Sequence, residues 1–210
     1  MKIVLLGDSI TDMSRNGETP DFQPFSFGMG YPFLLTSKLY EKKPLGYEII
    51  NRGISGNRIV DVYARIKKDC WNLQPDLISI LIGVNDVWHE IESENGVDVE
   101  RYEKVYSMLI EDTLKVLPNV KIMLLEPFVL HGTATDESFD RFLAVKEYAK
   151  VVKKLADKYC LTFVPLQDRF DQESKKVGDS NLLYDGVHPM IAGSTLIANE
   201  WMKAFEKVIK

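Results

Sequence analysis

Only two cysteines occur among 210 residues, Cys70 and Cys160, and they lie far apart without metal-type spacing. That excludes a disulfide-stapled scaffold and a cysteine-built zinc module, and both thiols are expected to be buried. Histidine is as scarce: any imidazole chemistry must use His89, His131 or His188. Basic excess is missing, the net charge being −5, so the chain has no electrostatic footprint for nucleic acid. Long apolar runs are missing too. "LISILIGV" at 77–84 is the longest, far short of the roughly 20 residues that cross a membrane. "MKIVLL" meets Gly7 and Asp8 too soon for a secretory signal, so a cytoplasmic protein is expected. There is no linker, repeat or low-complexity tract, so a single domain is expected over residues 1–210. No Gly-x-x-x-x-Gly-Lys-Ser/Thr, convincing Gly-x-Gly-x-x-Gly or His-Glu-x-x-His occurs, and neither a cofactor nor a metal is expected.

What the chain does contain is five short apolar runs: 2–6, 47–51, 77–82, 120–125 and 161–165. They are continuous rather than alternating, the pattern of parallel strands buried on both faces. Segments of helical period separate them. In 138–159, Phe142, Val145, Ala149, Val152, Ala156 and Tyr159 step by three or four, and weaker stripes occur at 31–40, 58–70, 101–117 and 190–208. Five alternations of strand and helix predict a three-layer α/β/α sandwich, flavodoxin-like, around a five-stranded parallel sheet. Ligands in such folds bind at the carboxyl ends of the strands.

Small and polar residues gather at those ends. Gly7-Asp8-Ser9 follows the first run, Gly53 and "ISGN" the second, and Gly83-Val84-Asn85-Asp86 the third, while "DGVHP" at 185–189 precedes the last helix. A serine hydroxyl becomes a nucleophile when an imidazole takes its proton and a carboxylate orients that imidazole. Asp185 and His188 can come from one short loop, although the same five residues would also serve as a plain turn and helix start. Donors for a developing oxyanion could come from the Ser9 amide, the Gly53 amide and the Asn85 side chain. Read singly, each fragment is an ordinary turn.

Taken in order, "GDSIT", "NRGISGN", "GVND" and "DGVHP" resemble the blocks of the SGNH or GDSL-type hydrolases, and the resemblance covers the whole chain. It implies Ser9 as nucleophile, His188 as base and Asp185 as its orienter, with Ser9, Gly53 and Asn85 as the oxyanion hole. "GYPFLL", "ISGNRIVDVYARI" and "SILIGVNDVWHE" are similar to cytoplasmic carbohydrate acetylesterases acting on xylo-oligosaccharides. Where those have tryptophan before the aspartate, this chain has Tyr184. The likeness implies a small-molecule ester substrate, an acetylated carbohydrate, and a homo-oligomer. A lysophospholipase or thioesterase of the same family is the alternative. A non-catalytic module binding nucleotide or flavin is the alternative of another class, one that would have no use for the Asp185/His188 pair.

The long insert 13–30 has the character of a binding loop. Phe25, Phe27, Trp88, Phe128 and Tyr184 could offer flat surface for a sugar ring, with Trp88, Phe128 and Tyr184 the named substrate contacts. Asp8, Asn51, Asn57 and Asp86 are expected to fix loops by hydrogen bonds. Asp12 and Asp61 take no assignable role, His89 and His131 read as loop residues, and Tyr102, Tyr106 and Phe142 as core.

Overall fold

The structure, a computed structural model, describes residues 1–209. Its strands are β1 (Lys2–Gly7), β2 (Glu48–Gly53), β3 (Leu77–Leu81), β4 (Lys121–Leu125) and β5 (Thr162–Val164), all parallel in the order β2-β1-β3-β4-β5. β3 is buried along its whole length, because helices cover the sheet on both faces. The helices are α1 (Ser9–Asp12), α2 (Tyr31–Lys42), α3 (Ile59–Asp69), α4 (Val84–Ser93), α5 (Val99–Val116), α6 (Phe139–Phe142), α7 (Val145–Lys158), α8 (Gln167–Val177) and α9 (Ile191–Val208). α2 packs on α9, while α3, α5 and α7 pack side by side. Among the described residues no helix is long and apolar enough to cross a membrane.

The helices form where an apolar stripe can be buried and an end can be capped. Tyr31, Leu35 and Leu39 put one side of α2 against the core, and Pro32 sits in the first turn, where its missing N–H costs nothing. The Asp98 carboxylate caps α5 by accepting from Arg101 N.

The sequence pattern departs from the structure in three places. The single helix expected over 138–159 is two helices, because the Ala144, Lys146 and Glu147 amides bond three residues back and tighten the chain around 143–144. That break sets Phe142 edge-on against Trp88. Two helices, α4 and α8, were not anticipated. α8 buries only Gln167 and Phe170, too little to leave a stripe. Of the two thiols expected to be buried, Cys70 is, and burial pushes it up to about 12, but Cys160 is exposed in the turn after α7.

With this strand order the chain turns from one half of the sheet to the other between β1 and β3, the switch point at which a crevice opens. Ser9 follows β1 and Asn85 follows β3, so the topology brings these two distant residues to one rim.

Candidate active site

Ser9 is the first residue of α1, directly beyond the end of β1, and Asp8 caps that helix by accepting from Ile10 N at 3.0 Å. The Ser9 Oγ hydroxyl donates to His188 Nε2 at 2.8 Å, and His188 Nδ1–H donates to Asp185 Oδ2 at 2.6 Å. Asp185 Oδ1 meanwhile accepts from Val187 N at 2.9 Å and His188 N at 2.8 Å. One carboxylate therefore shapes its own loop and orients the imidazole. Burial works to raise the Asp185 pKa, but hydrogen bonds from the His188 ring and from the His188 and Val187 amides outweigh it and hold the group below the ordinary carboxylate range. The loop is anchored from outside by Leu130 N to Gly186 O at 2.9 Å and Ala134 N to Asp185 O at 3.0 Å. Tyr184 stacks on the His188 ring at 5.6 Å, and Trp88 lies tilted 5.9 Å from it.

The end of β2 and the segment after it differ from expectation, because the strand runs on through Gly53. Gly53 N–H donates to Asn51 Oδ1 at 2.8 Å and is not a free donor. Gly53 is glycine for another reason: a Cβ there would sit 2.3 Å from Asp12 N. Three residues on, Gly56 has φ +80°, and its amide, like that of Ser9, makes no hydrogen bond among the described residues. Its neighbour Asn57 accepts from Asn85 Nδ2 at 3.1 Å through its carbonyl, leaving the second hydrogen of that amide unused.

A set of polar side chains holds this segment in place. Asn51 Nδ2 donates to the carbonyls of Thr11 and Phe27. Asp86 accepts from Ile59 N at the start of α3. Asp12 accepts from Ser55 Oγ at 2.6 Å, and Asp61 pairs with Arg58, which gives both formerly unassigned acids a loop-fixing place. Arg65 is the residue that sequence reasoning missed. It donates to Gly7 O at 3.1 Å, Arg52 O at 2.8 Å, Asn57 Oδ1 at 2.7 Å and Asp69 Oδ2 at 2.8 Å, tying the ends of β1 and β2 to the following loop. Its only trace in the sequence is the i, i+4 pairing with Asp69.

Two buried carboxyls lie beneath the rim. Burial raises Asp8 to about 7 and Asp86 to about 8, against the opposing pull of the Ile10 and Ile59 amides respectively. Asp8 Oδ2 has no hydrogen-bond partner.

The aromatic expectations divide. Trp88 and Tyr184 lie at His188. Phe128 does not: it is wholly buried and stacks on Phe170 at 4.2 Å, because the segment after β4 turns inward over α8. Phe27 is likewise core, while Phe25 is exposed beside Met29, Phe33 and Ile191. His131 stacks on Phe139 and pairs with Asp136. His89 lies on α4 rather than in a loop.

The chain matches the model of the GDSL-like Lipase/Acylhydrolase family over residues 5–196. It is 33% identical over 208 residues to an acetylxylan esterase of Geobacillus stearothermophilus, covering 96% of this chain and 92% of that one. Among solved structures it is similar to one from Parabacteroides merdae described as a GDSL-like lipase, with TM-score 0.90 and 39% identity over 97% of this chain and 94% of that one. It is also similar to the Geobacillus acetylxylan esterase, with TM-score 0.86 and 32% identity over 97% and 93%.

Proposed function

Because the chain belongs to the GDSL-like lipase/acylhydrolase family and is a carboxylic ester hydrolase, we propose that it removes acetyl groups from carbohydrate esters through an acyl-enzyme on Ser9. The observation that carries the reading is the unbroken chain Ser9 Oγ, His188 Nε2, His188 Nδ1, Asp185 Oδ2, with both links at hydrogen-bond length. His188 takes the Ser9 proton as Oγ attacks the acetyl carbonyl. It returns that proton to the sugar oxygen as the acyl C–O bond breaks, freeing the sugar hydroxyl, then activates the water that releases acetate. Asp185 keeps the imidazole in the tautomer with its free nitrogen toward Ser9 and stabilises the imidazolium.

The oxyanion forms between the Ser9 amide and the side chain of Asn85. Gly56 N–H is the third donor in place of Gly53, since Gly53 N–H is occupied by Asn51 and Gly56 N–H is unoccupied beside Asn57. The acetyl-sugar part of the reading is supported by the relative's activity on acetylxylan. It is also supported by the Tyr184 ring, which stacks on the base and stays half exposed, offering a sugar a flat face. Trp88 lines the same place, and Phe128 is withdrawn as a contact. Self-association belongs to the reading by resemblance, and a monomer in sedimentation equilibrium would remove it.

Initial rates on nitrophenyl acetate, nitrophenyl octanoate and acetylated xylo-oligosaccharides, for wild type and Ser9→Ala, test the proposal. Ser9-dependent turnover of the acetate and the oligosaccharides is expected, with a loss of about 10⁴-fold or more in the variant. A preference for octanoate would move the substrate to lipid or thioester. Undiminished turnover by a folded Ser9→Ala would overturn the mechanism.

A further inference from the structure

α4 turns one face toward the reacting groups. Asn85, Trp88 and His89 stand at i, i+3 and i+4, the spacing that brings side chains onto one side of a helix. Asn85 holds the Asn57 carbonyl and Trp88 packs against the His188 ring. The third position is unexplained. His89 uses its carbonyl to accept from Ser93 Oγ and Asn95 N, but its imidazole makes no hydrogen bond among the described residues. Asp61 is close enough to feel its charge, yet the carboxylate of Asp61 is already engaged by Arg58 at 2.9 Å.

The ring is half-buried and directed at the segment carrying Gly56. Its Nε2 lies 4.0 Å from where a Cβ on Gly56 would stand, and apart from the glycine's chain neighbours no other atom comes that near. The absence of a side chain at 56 thus leaves open ground in front of Nε2. A polar ring atom facing open space next to the segment that carries the Gly56 amide finds its partner in water or in substrate. An acetyl group has one polar atom, its carbonyl oxygen, and that oxygen is already claimed by the oxyanion donors. The rest of the substrate, a ring bearing hydroxyls, is what such an imidazole can recognise.

We propose, building on the acetyl-carbohydrate reading above, that His89 is a specificity-determining residue whose imidazole hydrogen-bonds a hydroxyl of the sugar leaving group. It takes no part in proton transfer at Ser9. Its effect falls on substrates that carry a hydroxylated leaving group, and a flat aromatic leaving group bypasses it.

Steady-state constants on two substrates separate the possibilities. His89→Phe, which keeps a ring and removes the hydrogen bond, is expected to raise KM for acetylated xylo-oligosaccharides about tenfold, while kcat and both constants for nitrophenyl acetate stay within about twofold. His89→Gln, whose amide can occupy the place of Nε2, is expected to recover part of that loss. Should phenylalanine disturb the fold by near-ultraviolet circular dichroism, His89→Ala reads the same contrast. Equal losses on both substrates, or no change on the oligosaccharides, would overturn the proposal. A wild type that hydrolyses nitrophenyl acetate and leaves the oligosaccharides intact would instead overturn the substrate reading, and this inference with it, before any variant is made.

Discussion

Residues 183–189, closed by one antiparallel bridge between Leu183 and Pro189, and residues 54–58 both approach Ser9 outside the helices and the sheet, but they are held in different ways. The first is shaped chiefly from within, with two backbone anchors from Leu130 and Ala134 outside it. Asp185 accepts two amides from within three residues, and the Tyr184 amide reaches the His188 carbonyl at 3.0 Å across the same turn. The second is held from a distance: Arg65, Asn85 and Asp86, from α3 and α4, all bond to it or its flanks. A self-organised loop carries its instructions in consecutive residues. A loop held by remote side chains acquires its geometry only when the chain has folded, and its failures should spread across both strands.

The largest expected effect comes from breaking the self-organised loop. Asp185→Ala removes the orienter together with the oxygen that accepts from two loop amides, and is expected to lower kcat on nitrophenyl acetate about 10³–10⁴-fold. A loss under tenfold would separate His188 orientation from this carboxylate. The remote scaffold should break more gently. Arg65→Ala deletes donors to the Gly7 and Arg52 carbonyls and to Asn57, with an expected fall in kcat of about 10–100-fold and little change in KM, because it displaces donors without touching substrate. Arg65→Lys, with a point charge in place of a fork, should recover only part of the rate. Unchanged kcat with lowered thermal stability would make Arg65 a strut for the sheet alone.

The smallest effect is one of stability and pH. Burial raises Asp86 from its ordinary range to about 8, so the folded state holds a proton that the unfolded chain releases near pH 4. Its contribution is fully present below that lower value and is lost as pH rises toward about 8. Asp86→Asn cannot ionise and escapes the loss. Relative to wild type it should therefore gain stability between pH 5 and 8, by on the order of 2 kcal/mol, in urea titrations at the two pH values. A constant difference would show that Asp86 is ionised throughout.

The same contrast explains what the sequence revealed. Continuous apolar runs such as "KIVLL" and "LISILI" marked the five strands, since burial on both faces leaves no alternation to confuse them. "DGVHP" could be read because its carboxylate and imidazole act within one turn. That the Gly53 amide is taken up by Asn51 could not be read, because an asparagine two residues before a glycine announces no such bond. Phe128 was misplaced because a phenylalanine after a strand looks the same whether it turns outward or, as here, inward onto Phe170. α4 did carry a signal, Val84, Val87 and Ile91 at helical spacing, but its first turn also reads as a strand-end loop. Arg65 carried only its i, i+4 pairing with Asp69, and His89 nothing, because their meaning lies in contacts made across the fold.

The most direct test of the account is labelling with a fluorophosphonate, which forms a stable adduct only with an activated serine, followed by peptide mass spectrometry. One equivalent located on Ser9, with the rate collapsing in His188→Ala, is the predicted result. Adduct on another serine, or labelling of Ser9→Ala at the wild-type rate, would contradict the assignment of Ser9 and the chain of hydrogen bonds built on it.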